Sequence, residues 1–265
     1  MKHMLSENLS IAISAALDSG KAIMDIYLEG NVGVEYKNDL SPITDADIVS
    51  SRIINKHLSV TSIPIVSEET DDISFDERKT WKELWIVDPI DGTKEFISRN
   101  GEFTVNIAML SNQTLVLGVV YAPALRELYF AEANIGSFKY IVDEHISPTN
   151  LLEFSTQLPS TKNHDSYKIV ASRSHLSHET ENYIHIIQSK KTNVELISKG
   201  SSLKFCMVAE GVADCYPRFA PTMEWDTAAG HAICKFAGKR VTDLVTNDEL
   251  VYNGKTLKNN WFIVD

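Results

Sequence analysis

Two carboxylates, Asp88 and Asp91, leave one apolar run within Trp85-Ile-Val-Asp-Pro-Ile-Asp-Gly-Thr-Lys-Glu-Phe96. The run Leu84 to Val87 reads as a short buried strand. Pro89 cannot continue a central strand and biases Asp88 toward extended backbone, so the strand is expected to stop at Asp88-Pro89. Asp91-Gly92 signals a turn, and Gly92 can bring bare backbone close to a ligand. Thr93 adds a hydroxyl directly afterwards. Carboxylates and a carbonyl oxygen suit a hard divalent cation such as Mg²⁺, and exposed amides suit a phosphate. The alternative, a plain acidic turn, leaves many polar groups at the end of a buried strand without a use.

Other acids stand in comparable places. Ile63 to Val66 reads as a second strand, followed by Glu68 and Glu69; adjacent acids are commonly just solvated surface. Asp226 stands at the start of a helix over Asp226 to Ala237, closed by Gly238, where capping alone would account for it. Thr44-Asp-Ala-Asp47 fits a capping box opening a helix to about Leu58. Glu68, Asp88, Asp91 and Asp226 gathered in one cleft would repel one another and reject a phosphate dianion. Two or three Mg²⁺ ions would turn that repulsion into a clamp on attacking and leaving oxygens. A carboxylate pair of the glycosidase kind needs neither so many acids nor a Gly-Thr phosphate cradle.

Asp88-Pro-Ile-Asp-Gly-Thr93 resembles the signature of the inositol monophosphatase superfamily of Mg²⁺-dependent, lithium-sensitive phosphatases. The continuation Lys94-Glu95-Phe96 is similar to its 3′(2′),5′-bisphosphate nucleotidase branch. Lys37 with Ser41 to Asp47, and Met223 to Gly230, are similar to two further stretches of the family, so the resemblance runs from Lys37 to Gly230 with its landmarks in order. It implies a mixed α+β and α/β chain folded as a layered αβαβα sandwich. It also implies metal ligation by Glu68, Asp88, the Ile90 carbonyl, Asp91 and Asp226, with Glu69 a weaker match. Asp47 would pair with Thr93 to draw the proton from an attacking, metal-activated water. The amides of Gly92 and Thr93 would cradle the phosphate, with Lys94 beside them. Ser201, Lys204 and Arg218 would hold a second, non-reacting phosphate, and His175 would touch the nucleoside. The implied reaction is in-line hydrolysis of the 3′-phosphate of adenosine 3′,5′-bisphosphate to AMP and phosphate. The 3′-phosphoadenylyl sulfate precursor is a further candidate, and both belong to sulfur metabolism. The competing readings are an inositol or sugar phosphatase on the same metals and a non-catalytic nucleotide or metal sensor.

The elements that must position these groups alternate in type. Helical spacing of Leu9, Ile13, Ala16, Ile23 and Tyr27 predicts an amphipathic helix over Ser6 to Leu28, ended by Gly30 and Gly33. Asp71 to Lys82 is charged and reads as a flexible surface segment. Phe103 to Met109 alternates as a half-buried strand does, and strands at Leu115 to Tyr121, Glu127 to Ala131 and Ser137 to Val142 extend an antiparallel meander. Asp143 to Asp165 reads as a long connection and domain boundary. Beyond it, strands at Tyr167 to Ala171, Val194 to Ile197 and Ala213 to Tyr216 alternate with helices at Glu179 to Gln188 and Ser202 to Glu210. The expected division is therefore an α+β domain over 1–155, carrying the antiparallel sheet and most metal ligands, and an α/β domain over 156–265 that completes the site.

The 265 residues, 43% hydrophobic, allow one large domain or two tightly joined ones. A net charge of −11 argues against polymeric nucleic acid as a partner. A small phosphate ester stays accessible if cations invert the local sign. Cys206, Cys215 and Cys234 form no C-x-x-C pair and read as buried thiols of a reducing compartment. No signal-peptide core or membrane-length apolar run is evident. The cytoplasm is the expected location. Loose attachment to the inner membrane face, and the choice between monomer and homodimer, stay open.

Overall fold

The computed structural model describes residues 4–30, 33–36, 42–69, 73–143, 150–161, 165–172 and 177–265. Helix α1 (Glu7–Glu29) starts where Ser6 Oγ accepts the Leu9 amide and ends at Gly30, whose φ of 78° only glycine adopts freely. β1 (Val34–Tyr36) and β2 (Pro42–Thr44) pair antiparallel and lead into α2 (Asp45–Leu58), opened by the expected Thr44–Asp47 capping box. β3 (Ile65–Ser67), α3 (Phe75–Arg78), β4 (Glu83–Asp91) and α4 (Thr93–Ile97) carry most of the acids. The meander follows as β5 (Thr104–Ser111), β6 (Thr114–Ala122), β7 (Glu127–Glu132) and β8 (Gly136–Ile141). After it come α5 (Leu151–Phe154), β9 (Thr156–Gln157), β10 (Tyr167–Ala171), α6 (His178–Lys190) and β11 (Val194–Ser198). The chain closes with α7 (Leu203–Glu210), β12 (Tyr216–Arg218), α8 (Glu224–Phe236), β13 (Val241–Asp243) and β14 (Phe262–Val264).

These elements stack in five layers. β3 to β9 form one seven-stranded sheet in sequence order, antiparallel except for the parallel β3–β4 pair. α1 and α2 cover one face, and α8, flanked by α7, covers the other. Next come the parallel pair β10–β11 and the sheet β12–β14–β13, joined by a bridge between Ile169 and Cys215. α6 lies outside, against β12. This is the expected αβαβα arrangement. α8 can lie flat on β6 because Gly118 has no side chain: a Cβ there would stand 2.6 Å from Ala232 Cβ and 2.8 Å from the Ala229 carbonyl. That close approach brings Asp226, in the first turn of α8, to the end of the sheet where β4 releases Asp88 and Asp91.

Several expectations need correction. β4 does not stop at Asp88-Pro89 but runs on to Asp91, through a register shift between Asp88 and Asp91. Proline is tolerated at such an irregularity because its missing N–H breaks no ladder bond. β5 is not half-buried: Thr104 to Leu110 is buried on both faces, since helices cover both sides of the sheet. The long connection contains α5 and β9, which adds the seventh strand. The strand expected at Ala213 to Tyr216 lies instead at β12, because its antiparallel partner β14 offers its edge to Tyr216–Arg218. The charged stretch 71–82 is not merely a surface segment; residues 71–72 lie outside the described part, but Arg78 is 3% exposed. Its guanidinium donates to Asn253 Oδ1 at 2.7 Å and to the Gly254 carbonyl, while the amides of Asn253 and Gly254 donate to the two oxygens of buried Glu224. A loop near the chain's end thereby ties α3 to the start of α8.

Candidate active site

β4, α4 and α8 converge on one cleft of about 400 Å³ lined by Glu68, Asp88, Ile90, Asp91, Gly92, Thr93, Lys94, Glu95 and Asp226, among others. Parallel pairing of β3 with β4 places Glu68, just past β3, alongside the exit of β4, where its amide donates to the Val87 carbonyl. Hydroxyls from the helical layer brace the exit turn. Ser19 donates to Ser50, and Ser50 donates to the Pro89 carbonyl at 2.7 Å. Asp88 is 1% exposed and accepts the Ile90 amide at 3.0 Å. Asp226 accepts the Met223 amide at 2.8 Å, so the capping role and a place in the cleft coexist.

Asp47 and Thr93 meet as expected. Asp47 Oδ2 accepts the Thr44 amide at 2.7 Å and the Thr44 hydroxyl at 2.5 Å, which leaves Oδ1 toward Thr93 Oγ at 3.3 Å. Thr93 Oγ also lies 3.4 Å from the Ile90 carbonyl. Gly92 adopts φ 92° and has no room for a side chain, since a Cβ would run into Ser201 Oγ. Thr93 then opens α4, whose first N–H groups lack intrahelical partners.

A second pocket of about 160 Å³ adjoins the cleft and shares Asp91, Gly92, Glu95 and Asp226 with it. Its other walls include Ser172, Ser201, Lys204, Tyr216 and Arg218. Lys204 is buried and donates to the Ser201 carbonyl at 2.6 Å; burial, then Arg218, pulls its ammonium down to about 8. Arg218 donates from one amino group to the Pro221 carbonyl, while its buried Nε has no hydrogen-bond partner among the described residues. Ser201 stands before α7 rather than on it, at φ 49°, and its hydroxyl donates to the Asp91 carbonyl at 2.6 Å. Lys94 is solvent-exposed at the rim of the cleft. His175 and Lys37 lie outside the described residues.

The sequence reading missed a buried polar chain behind the acids. The β4–β5 register sets Asn106 opposite Asp88 and Thr104 opposite Asp91. Thr104 donates to Asn106 Oδ1, Asn106 Nδ2 donates to Ser202 Oγ at 2.8 Å, and Ser202 Oγ lies 2.9 Å from Asp91 Oδ2. Polar residues at every second position of an otherwise apolar strand were the available signal, once that strand is paired with β4.

The acids carry a surplus of negative charge. Asp88 is pushed well above the usual carboxylate range by burial and then by Glu68, Asp91, Asp226 and Asp47. Asp226 is pushed up to about 8, by burial and then by Asp91. Among the described residues, no three acidic, histidine or cysteine side chains converge into a ready-made metal cage. Oxygen donors spread around a cleft in this way fit a hard cation that keeps part of its water shell, as Mg²⁺ does.

A linked proton effect should follow. Folded pKa values above the unfolded ones mean that this part of the stability is present at low pH and is lost as pH rises through the folded values, near 8 for Asp226. Without Mg²⁺ this contribution to the melting temperature should therefore fall away between about pH 4, the unfolded carboxylate range, and about pH 8. Mg²⁺ should restore it, most strongly at the alkaline end, and should release protons on binding near pH 7. Calorimetry in buffers of differing ionisation enthalpy reads both effects.

The profile of the inositol monophosphatase family matches residues 4–264. The chain is 44% identical over 246 residues to the 3′(2′),5′-bisphosphate nucleotidase CysQ of Salmonella typhimurium, covering 91% of this chain and 89% of that one. It is 42% identical over 232 residues to its namesake in Escherichia coli K12, covering 86% and 87%. The crystal structure of CysQ from Bacteroides thetaiotaomicron, a bacterial member of the inositol monophosphatase family, superposes with a TM-score of 0.89 at 48% identity, over 97% of this chain and 96% of that one.

Proposed function

The chain belongs to the inositol monophosphatase family, and we propose that it is a Mg²⁺-dependent 3′(2′),5′-bisphosphate nucleotidase. It removes the 3′-phosphate of adenosine 3′,5′-bisphosphate to leave AMP and phosphate, with 3′-phosphoadenylyl sulfate, which carries the same 3′-phosphate, as a second substrate. The observation that carries this reading is the adjacency of two pockets of opposite character. An acidic cleft suited to cations shares a wall with a pocket holding Lys204 and Arg218. A substrate with a reacting phosphate and a second anionic group fits both at once, whereas a monophosphate leaves the basic pocket unused. The similarity to proteins named as bisphosphate nucleotidases supports the same choice.

Two to three Mg²⁺ ions, held by Glu68, Asp88, the Ile90 carbonyl, Asp91 and Asp226, would supply positive charge to the phosphoryl and leaving oxygens. The protein's own groups do the rest. The amides of Gly92 and Thr93, at the start of α4, would cradle the reacting phosphate. Thr93 Oγ accepts a proton from the attacking water as its own passes to Asp47 Oδ1, and the two Thr44 bonds hold that carboxylate in line. Lys204 and Arg218 fix the second phosphate and so align the first for in-line attack. The cytoplasm, where such nucleotides are handled, is the proposed location. The chain is further proposed to divide near residue 155, with Glu68, Asp88 and Asp91 contributed by one part and Asp226 by the other.

Phosphate release should be measured with Mg²⁺ from adenosine 3′,5′-bisphosphate, AMP, inositol 1-phosphate and fructose 1,6-bisphosphate, each with and without lithium. Preference for the bisphosphate nucleotide, inhibited by lithium, is the expected result. Preference for inositol 1-phosphate would leave the acidic cleft standing and overturn the role of the basic pocket.

A further inference from the structure

The hydroxyl of Ser202 sits where the two halves of the acidic cleft meet. It is 2.9 Å from Asp91 Oδ2, at the end of β4, and 2.9 Å from the Asp226 carbonyl, in the first turn of α8. Its third neighbour is Asn106 Nδ2 at 2.8 Å, which also lies 3.5 Å from Asp91 Oδ2. The orientation of this amide is determined. A carboxylate only accepts hydrogen bonds, so the face of Asn106 toward Asp91 carries the nitrogen. Thr104 donates to the Asn106 oxygen on the other side at 3.0 Å. Ser202 therefore accepts from Asn106 and has one proton to give. Of the two acceptors in reach, the charged Asp91 oxygen is the stronger. Thr104, Asn106 and Ser202 are each 1% exposed or less, so water does not compete for these bonds.

We infer that Ser202, oriented by Asn106 and Thr104, is a positioning residue that engages Oδ2 of Asp91 and thereby presents Oδ1 to a divalent cation. The inference rests on the reading of Asp91 as a cation ligand. Hydrogen bonds of this kind lower the rotational freedom of a ligand carboxylate and select which lone pairs face the ion. The same hydroxyl touches the backbone of Asp226, so one side chain relates a ligand from β4 to a ligand from α8. Nothing in the relay reaches the substrate pocket, which distinguishes it from Ser201 beside it.

Ser202→Ala removes a single buried oxygen and leaves the entry to α7 intact. Asn106→Leu keeps the volume of the strand residue but removes the donor that orients the serine hydroxyl. Binding of Mn²⁺, as a probe for the cation, should be measured by calorimetry on parent and variant proteins, alongside melting without metal. The expected result is a dissociation constant raised roughly 10- to 100-fold in Ser202→Ala. Asn106→Leu should give a comparable rise, and the double variant should be less than additive. A purely structural role would lower the melting temperature and leave Mn²⁺ affinity within twofold of the parent, and that outcome would overturn the inference alone. A parent that binds no Mn²⁺ would overturn the cation site itself, and the inference with it.

Discussion

Asp91→Asn should lower kcat/KM for phosphate release by about 10³-fold or more, while the metal-free protein melts at a higher temperature than the parent. Losing a preorganised electrostatic group at a charge-developing centre costs about 10²- to 10³-fold, and a ligand to the cation carries at least that much. The gain in stability has a separate cause. The Asp91 charge is among those that push Asp88 and Asp226 upward. Replacing it with a neutral amide of the same shape relieves that repulsion, and asparagine can still accept from Ser202 through its oxygen. Lower activity with higher stability is the mark of a site held under electrostatic strain for function. A steady-state assay with a melting curve checks both signs, and an active Asp91→Asn protein would exclude this cleft as the catalytic centre.

Lys204→Met is expected to separate substrates rather than abolish turnover. Methionine fills the buried stem of the lysine but removes the charge. A hydrogen bond to a charged group contributes about 1.5–3 kcal/mol, so KM for adenosine 3′,5′-bisphosphate should rise on the order of 10- to 100-fold. A monophosphate substrate should change by less than about threefold, because on this reading it places nothing beside Lys204. The parent should also lose bisphosphate affinity as pH rises through about 8, where the free-enzyme ammonium gives up its proton. Lys204→Met should not show that limb. Equal losses on both substrates would assign Lys204 to holding the 199–204 turn, whose carbonyls it binds.

Much of the architecture was legible because it is periodic. α1, α2, α6 and α8 lie within two residues of their expected bounds, since apolar spacing, caps and terminal glycines agree locally. The meander was legible from alternation and turns. What escaped depends on partners distant in sequence. Thr104 and Asn106 look in the sequence like the wet face of a strand, because polar alternation is the same whether that face meets water or a buried network. Arg78 sits in a charged stretch, and only the loop at Asn253 and Gly254 shows why it is buried. β13 and β14, three residues each, are too short to carry any period. The position of β12 depends on one of them. The placement of the acids was legible since each stands in the last residues of a strand, just after one, or in the first turn of a helix. Ser202 was not, because its partner Asp91 lies more than a hundred residues earlier.

The middle strand of the small sheet, β14, has consequences for biosynthesis. Arg218 lies on β12, and β12 has β14 as its sheet partner, with β13 on the far side. The ribosome thus delivers Asp226, Arg218 and every earlier ligand well before the strand that seats Arg218. A nascent chain can hold the complete set of charged groups while its basic pocket is still unformed. The grip of Arg218 would then be acquired after the acids are in the chain, and a substitution that unpairs β14 from β12 should weaken the basic pocket before it disturbs the large sheet.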